Sequence, residues 1–303
     1  MAAPPPRRAL LLLCGAASCA RGITLCGLTS RLDGANSFAR LDTSSGRLTA
    51  GAHPVNRWQF LDAVYRPATG AYVGLGPDAA SGELGFVFFN TSTGAQTGFL
   101  PLRPPFSSDN VPGNLQLDAS ANAVYAISLA GKPGLYRVDL ATGATQLAVA
   151  DPALEGLVAE VSLFDEGAQL YAFFGDDGGA SGTASLRVID VAARSVARFP
   201  IPDDVDMLLA AGNGTALVHS DATSWFARLD LRTGAAVNVS HAPTGGIPSD
   251  QTAALVGGTV FVVVVNPKPS PSVYEVLTMD VGSGRVATQD VEGNTDMALT
   301  FPC

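Results

Sequence analysis

LYRVDLATG, Leu135–Gly143, is one of six related stretches whose reading decides the fold. The others are FARLDTSSG (Phe38–Gly46), FVFFNTSTG (Phe86–Gly94), LRVIDVAAR (Leu186–Arg194), FARLDLRTG (Phe226–Gly234) and VLTMDVGSG (Val276–Gly284). In each, an apolar run leads into Asp or Asn, and all but the fourth continue through Ser or Thr to Gly. The run reads as a strand and the remainder as a tight turn. Asp or Asn folds its side chain onto backbone N–H groups two residues on, and Gly takes positive φ without steric cost. The turn residues Asp42, Asn90, Asp139, Asp190, Asp230 and Asp280 follow in steps of 48, 49, 51, 40 and 50 residues. Self-similarity at this period marks a propeller or a solenoid, and a four-stranded antiparallel blade needs about 40–50 residues.

Between the copies runs a second pattern of apolar strand, polar turn and apolar strand. Examples are LQLDASANAVYAIS (Leu115–Ser128), SLFDEGAQLYAFF (Ser162–Phe174) and ALVGGTVFVVVV (Ala254–Val265). Four strands per unit result, a to d from the channel outward, with the signature spanning c and d. A helical repeat is excluded because the segments are short, rich in Val, Phe, Tyr and Thr, and broken by Gly and Pro. The common β-solenoid coils are much shorter than this period. The expected fold is an all-β, six-bladed β-propeller.

The chain ends predict how the ring closes. MAAPPPRRALLLLCGAASCA reads as a cleaved secretory signal: Arg7 and Arg8, a short apolar run, then Ser18 and Ala20 at the −3 and −1 positions. A bacterial lipid anchor at Cys19 is the alternative, and Ala16 suits it poorly. The domains are then a signal over 1–20 and a propeller over 21–303. From residue 21, 22 residues lead to Asp42 and 23 follow Asp280, together 45, or one repeat interval. Six blades account for the mature chain if Met297–Phe301 pairs beside Ile23–Thr29. Cleavage leaves only Cys26 and Cys303, one on each of those strands, and an even pair in a secreted chain implies a disulfide. On the chain-entropy model so long a loop contributes at most roughly 5–6 kcal/mol.

Charged residues are 15% of the 303-residue chain and hydrophobic residues 47%, as blades covered on both faces require. The net charge of −9 becomes −11 without Arg7 and Arg8. That balance argues against nucleic acid and anionic membranes as partners. No stretch is long and apolar enough to span a bilayer.

Sequons stand at Asn90, Asn213 and Asn238, placed by the repeat in a c–d turn, an a–b turn and an outermost strand. The a–b and c–d turns share the bottom face of a propeller, so glycans would shield that face and the rim. The top face, built from b–c loops and d-to-a crossovers, collects most remaining acids, among them Asp78, Glu83, Asp109, Asp151, Glu155 and Asp290. His53, His219 and His241 are also assigned to top loops, without metal-ligand spacing, as surface residues. Trp58 and Trp225 are assigned to the inter-blade core. Five innermost strands begin with polar residues: Asn114, Glu160, Asp206, Asp250 and Asp296. Oxygen ligands converging from several strands are what Ca²⁺ takes, so these five form the candidate metal set. The opposing reading is that Asp and Asn begin strands from solvated turns.

The chain has no G-x-S-x-G elbow, H-E-x-x-H or P-loop, and GDDGGASG (Gly175–Gly182) joins two strands instead of opening a helix. Catalytic residues are not identifiable. The signature, LYRVDLATG most of all, resembles the Tyr-Val-x-Asp-x-x-Thr-Gly repeat of secreted propellers. That resemblance implies the fold and no substrate, since one fold hosts many functions. Calcium-dependent, six-bladed lactonase-type propellers are similar in blade number and in carrying acidic and amide ligands in the upper channel. By that resemblance Asn114, Glu160, Asp206, Asp250 and Asp296 would hold the ion. Three functions follow in order. The first is a secreted scaffold binding an extracellular protein or glycan through its acidic top face. The second is a Ca²⁺-dependent lactonase or esterase, and the third a structural extracellular component.

Overall fold

The computed structural model describes residues 22–30, 36–54, 62–78, 80–129, 131–155, 157–176, 184–200, 205–220, 225–241, 253–266, 273–292 and 298–303. The signal at 1–20, Trp58, Asp250 and Asp296 lie outside them, as do the side chains of His53, Glu160 and His241.

Blade 1 contains β1 (Thr24–Ser30), β2 (Asn36–Asp42) and β3 (Arg47–Pro54). Blade 2 is β4 (Asp62–Arg66), β5 (Ala71–Pro77), β6 (Leu84–Asn90) and β7 (Gln96–Pro101). Blade 3 is β8 (Gly113–Asp118), β9 (Ala123–Ser128), β10 (Gly134–Asp139) and β11 (Thr145–Ala150). Blade 4 is β12 (Val158–Asp165), β13 (Leu170–Asp176), β14 (Ala184–Asp190) and β15 (Ser195–Pro200). Blade 5 is β16 (Met207–Gly212), β17 (Thr215–Ser220), β18 (Trp225–Asp230) and β19 (Ala236–His241). Blade 6 is β20 (Ala253–Val256), β21 (Thr259–Asn266), β22 (Val273–Asp280) and β23 (Val286–Asp290). Last, β24 (Ala298–Pro302) pairs antiparallel with β1 and becomes the innermost strand of blade 1. Six four-stranded antiparallel sheets thus form a six-bladed β-propeller, with the first and last described strands in one blade.

Packing follows from the two-residue period of strands. All of β9 is buried, yet its side chains part to opposite neighbours. Val124 and Ala126 join the apolar cluster with blade 2, and Tyr125 and Ile127 the cluster with blade 4. Every adjacent pair of blades shares such a cluster. The one between blades 6 and 1 sets Leu25 and Leu41 against Phe261, Val263 and Val276. Trp225 belongs to the cluster between blades 4 and 5, as expected.

The signature turns form as their residue types dictate. Asp139 Oδ1 accepts from the N–H groups of Ala141 and Thr142 at 3.0 and 2.8 Å, and Gly143 holds φ at +71°. Asn90, Asp230 and Asp280 act alike. The degenerate fourth copy keeps the same shape, with Arg194 at φ +53° where the others have Gly. These hydrogen bonds hold the carboxyls of Asp42, Asp139, Asp230 and Asp280 below the ordinary value of 3.8.

The seam closes in three ways. Cys26 and Cys303 are disulfide-bonded, with Cα atoms 5.7 Å apart. The Cys303 N–H donates to the Thr24 carbonyl, and the Glu292 N–H donates to the Gly46 carbonyl at 2.7 Å. Neighbouring a–b turns are also tied together. Arg66 donates to Asn122, Ser120 N–H to Glu166 at 2.9 Å, and Gly214 N–H to Asp165 at 2.6 Å. No helix among the described residues is long and apolar enough to cross a membrane.

Candidate functional site

The starts of the innermost strands define the upper mouth of the channel, and the polar groups described there mainly join one blade to the next. Asp62, which opens β4, accepts from the N–H groups of Ala63 at 2.7 Å and Leu115 of blade 3 at 2.5 Å. Asn114 sits in left-handed backbone at φ +55°, and its carbonyl accepts from the Tyr171 hydroxyl of blade 4 at 2.5 Å. One step down the wall, Gln116 donates to the carbonyl and hydroxyl of Ser162 at 2.9 and 3.0 Å. Asp62 completes the pattern of polar residues at strand starts. Sequence reasoning passed over it, although Asp before Ala-Val-Tyr-Arg one repeat upstream of Asn114 was signal enough.

Asp206 has a different partner. It precedes β16, and its Oδ1 lies 2.8 Å from Nδ1 of His219 on β17. The backbone bond from Asp206 N–H to the His219 carbonyl sets the register that brings them together. His219 is therefore not the surface loop residue expected from sequence. It is fully buried, its ring 4.4 Å from that of Phe226, and it shares its strand face with Leu217 in the core between blades 5 and 6. Nε2 is buried and has no hydrogen-bond partner.

Of the candidate calcium ligands, Asn114 and Asp206 are described with side chains, Glu160 only as backbone in β12, and Asp250 and Asp296 not at all. Among the described residues no three His, Cys, Asp or Glu side chains are grouped so as to hold a metal ion.

Several acids of the top face have local tasks. The sequence from Asp78 to Gly82 spells the signature outside its period, and Asp78 caps a turn that ends at Gly82. Its Oδ2 accepts from the Ser81 N–H at 2.8 Å, and Gly82 takes φ +73°. A hydrogen bond from Gln96 and those from Ser81 lower its pKa. Asp151 caps a short 3-10 turn, Pro152–Leu154, by accepting from the Ala153 N–H. Glu83, Asp109 and Glu155 are exposed. Beside Asp109, a recess of about 210 Å³ opens at the mouth of blade 3, lined by Asn110, Val111, Asn114, Ile127 and Leu129.

No family model matches the chain, and no curated protein matches it. Solved structures do. A chain from the crystal structure of a nidogen/laminin complex superposes with a TM-score of 0.63 at 9% identity, over 92% of this chain and 97% of that one. Apo AztD from Citrobacter koseri matches with a TM-score of 0.44 at 13% identity, over 91% of this chain and 75% of that one. At such identities the likeness is one of fold.

Proposed function

We propose that this propeller is a secreted recognition scaffold that takes an extracellular protein or glycan on its acidic top face. The recess beside Asp109 carries this reading. It is a preformed hollow with an apolar floor of Ile127 and Leu129, amides at Asn110 and Asn114, and a solvated carboxylate at its rim. Pockets that combine apolar walls with a few polar groups are the usual form of a binding site. Asp78 and Asp151 have backbone partners, whereas Glu83, Asp109 and Glu155 are exposed on the loops for a partner to meet. A disulfide between Cys26 and Cys303 suits an oxidising compartment, in keeping with a leader over 1–20. That one similarly folded chain was solved in a nidogen/laminin complex supports protein as the partner class. The test is a screen of secreted ectodomains and glycans, with Glu83, Asp109 and Glu155 replaced together by Lys in a parallel sample. Hits should weaken at least tenfold in the variant and lose their salt dependence; hits that bind both forms equally sink the assignment.

A Ca²⁺-dependent hydrolase is the second reading, favoured by Asn114 and Asp206 at the starts of innermost strands, with a channel carboxylate as general base. Ca²⁺ would sit on Asn114, Glu160, Asp206, Asp250 and Asp296 and polarise an ester or lactone carbonyl. Melting with Ca²⁺ and with EDTA decides the metal part. A shift that disappears in Asp206→Ala supports it, and identical curves in both media end it.

A further inference from the structure

Across the ring from the mouth, blades 5 and 6 part to leave a cavity of about 660 Å³. Its lining includes Gly212, Asn213, Arg228, Gly257, Gly258 and Gly282. The cause is local. The a–b turns of blades 2, 3 and 4 carry four residues between their strands, whereas those of blades 5 and 6 carry two, Asn213-Gly214 and Gly257-Gly258. A Cβ added at Gly212, Gly257 or Gly258 would meet nothing within 4 Å, so bare backbone forms the wall.

The repeat supplies its own control for Arg228. The third position of the signature is Arg in copies one, three and five: Arg40, Arg137 and Arg228. Arg40 reaches across to the next blade and donates to the Ser92 hydroxyl at 3.2 Å. Arg137 donates to the Ala121 carbonyl of its own four-residue a–b turn. Arg228 has neither recourse. Its own a–b turn is the short Asn213-Gly214, and the residue equivalent to Ser92 in the next blade is Gly282. The Asp280 carboxylate accepts from Ser283, and the cation it feels is Arg285. Among the described residues the Arg228 side chain makes no hydrogen bond or ion pair, and it is exposed at the cavity it lines.

The geometry points to an oxyanion site in this cavity, in which Arg228 takes the carboxylate or similar oxyanion of a small ligand and the glycine walls take its body. A guanidinium presents a planar fork that matches a carboxylate in two parallel hydrogen bonds. The volume falls within the roughly 300–1,000 Å³ of small-molecule sites. With a net charge of −9 the whole chain does not attract anions, so selectivity rests on this short-range contact and is retained at moderate salt.

Calorimetric titration of the full chain with sodium glucuronate, sodium sulfate and glucose at fixed ionic strength tests the site. Glucuronate or sulfate binds and glucose does not. Binding of glucuronate alone assigns an organic carboxylate, and binding of sulfate alone an inorganic oxyanion. Arg228→Gln weakens the bound anion at least tenfold. Gly282→Ser restores the hydroxyl that Arg40 uses, and its Cβ has ordinary room, the nearest atom lying at 3.5 Å. It therefore captures Arg228, weakens the anion by a similar factor, and leaves the melting temperature unchanged or higher. No binding of either anion in the millimolar range, or affinities unaltered by both substitutions, overturns the site.

Discussion

Gly46 in the signature turn of blade 1 packs so closely on Asp290 at the end of blade 6 that a Cβ on Gly46 would overlap the Asp290 carbonyl oxygen. Related contacts of varying closeness recur around the ring. Gly143 faces Leu100 and Arg103, Gly234 faces Phe199, and Gly284 faces the Val239 carbonyl, each in or just beyond the second half of the preceding blade's outermost strand. The glycine thus does two things, taking left-handed φ and letting one blade's turn dock on its neighbour. Gly46→Ala combines a conformational cost of about 1–2 kcal/mol with an overpacking cost of about 1–3 kcal/mol. Gly82→Ala, at φ +73° with open space around it, bears the first cost alone. Urea unfolding of the two variants should separate them by more than about 1 kcal/mol, and equal losses would show that docking contributes nothing.

Closure by the disulfide can be weighed in the same way. Cys26 and Cys303 span 277 residues, and the chain-entropy model gives an upper limit of roughly 5–6 kcal/mol for such a loop. Replacing both by Ser should lower the unfolding free energy by several kcal/mol while β24 and β1 still pair. A loss below about 1 kcal/mol would mean that the apolar cluster of Leu25, Leu41 and Phe261 holds the seam unaided.

Arg194 is the exception among the signature turns, a side-chain-bearing residue at φ +53°. Its neighbours at this position are all Gly, so Arg194→Gly relieves left-handed strain at the cost of extra freedom in the unfolded chain. The balance predicts a gain of about 0.5–1 kcal/mol, read as a rise in melting temperature. A fall would reveal a contact made by the Arg194 side chain.

These cases mark which parts of the structure were legible in the sequence. Anything periodic was: the turns at Asp139 and its equivalents, six blades, and a seam at Cys26 and Cys303 found by counting. Contacts created by sheet twist were not, because nothing local in the segment around Gly46 announces Asp290. Asp78 spells the same turn as Asp42 but lies out of period, and counting therefore passed it by. Read from sequence, His219 falls in a top loop, whereas the β17 register and the Asp206 carboxylate hold it in the core. Arg228 is unusual only beside Arg40, and the comparison needs to know which blade each side chain faces.

Acid should weaken the ring through its turns. The carboxyls of Asp42, Asp139 and Asp280 are held below 3.8 chiefly by the hydroxyls of Ser44, Thr142 and Ser283, and that of Asp230 chiefly by the Thr233 N–H. Since the folded values lie below the unfolded ones, the stability these groups add is complete above the unfolded range and lost as pH falls through the folded values. Melting temperature should therefore hold from neutral pH to about 5 and decline below about 4. Asn90 performs the same capping without titrating. Asp139→Asn with Asp280→Asn should keep the turns and flatten the decline, and an unchanged slope would place acid sensitivity elsewhere.

The bond between buried His219 and half-buried Asp206 can be tested for what it adds to folding. Asp206→Ala leaves Nδ1 as well as Nε2 of a fully buried ring without partners, and an orphaned buried donor costs about 1–3 kcal/mol. His219→Leu removes both nitrogens and sets an apolar side chain beside Phe226 and Leu217, so the double variant should recover most of that loss. A double-mutant cycle in urea measures the coupling directly. Recovery of stability would mean that folding alone does not require the pair. If the double variant is instead less stable than Asp206→Ala, the His219 ring supports the core beyond its bond to Asp206.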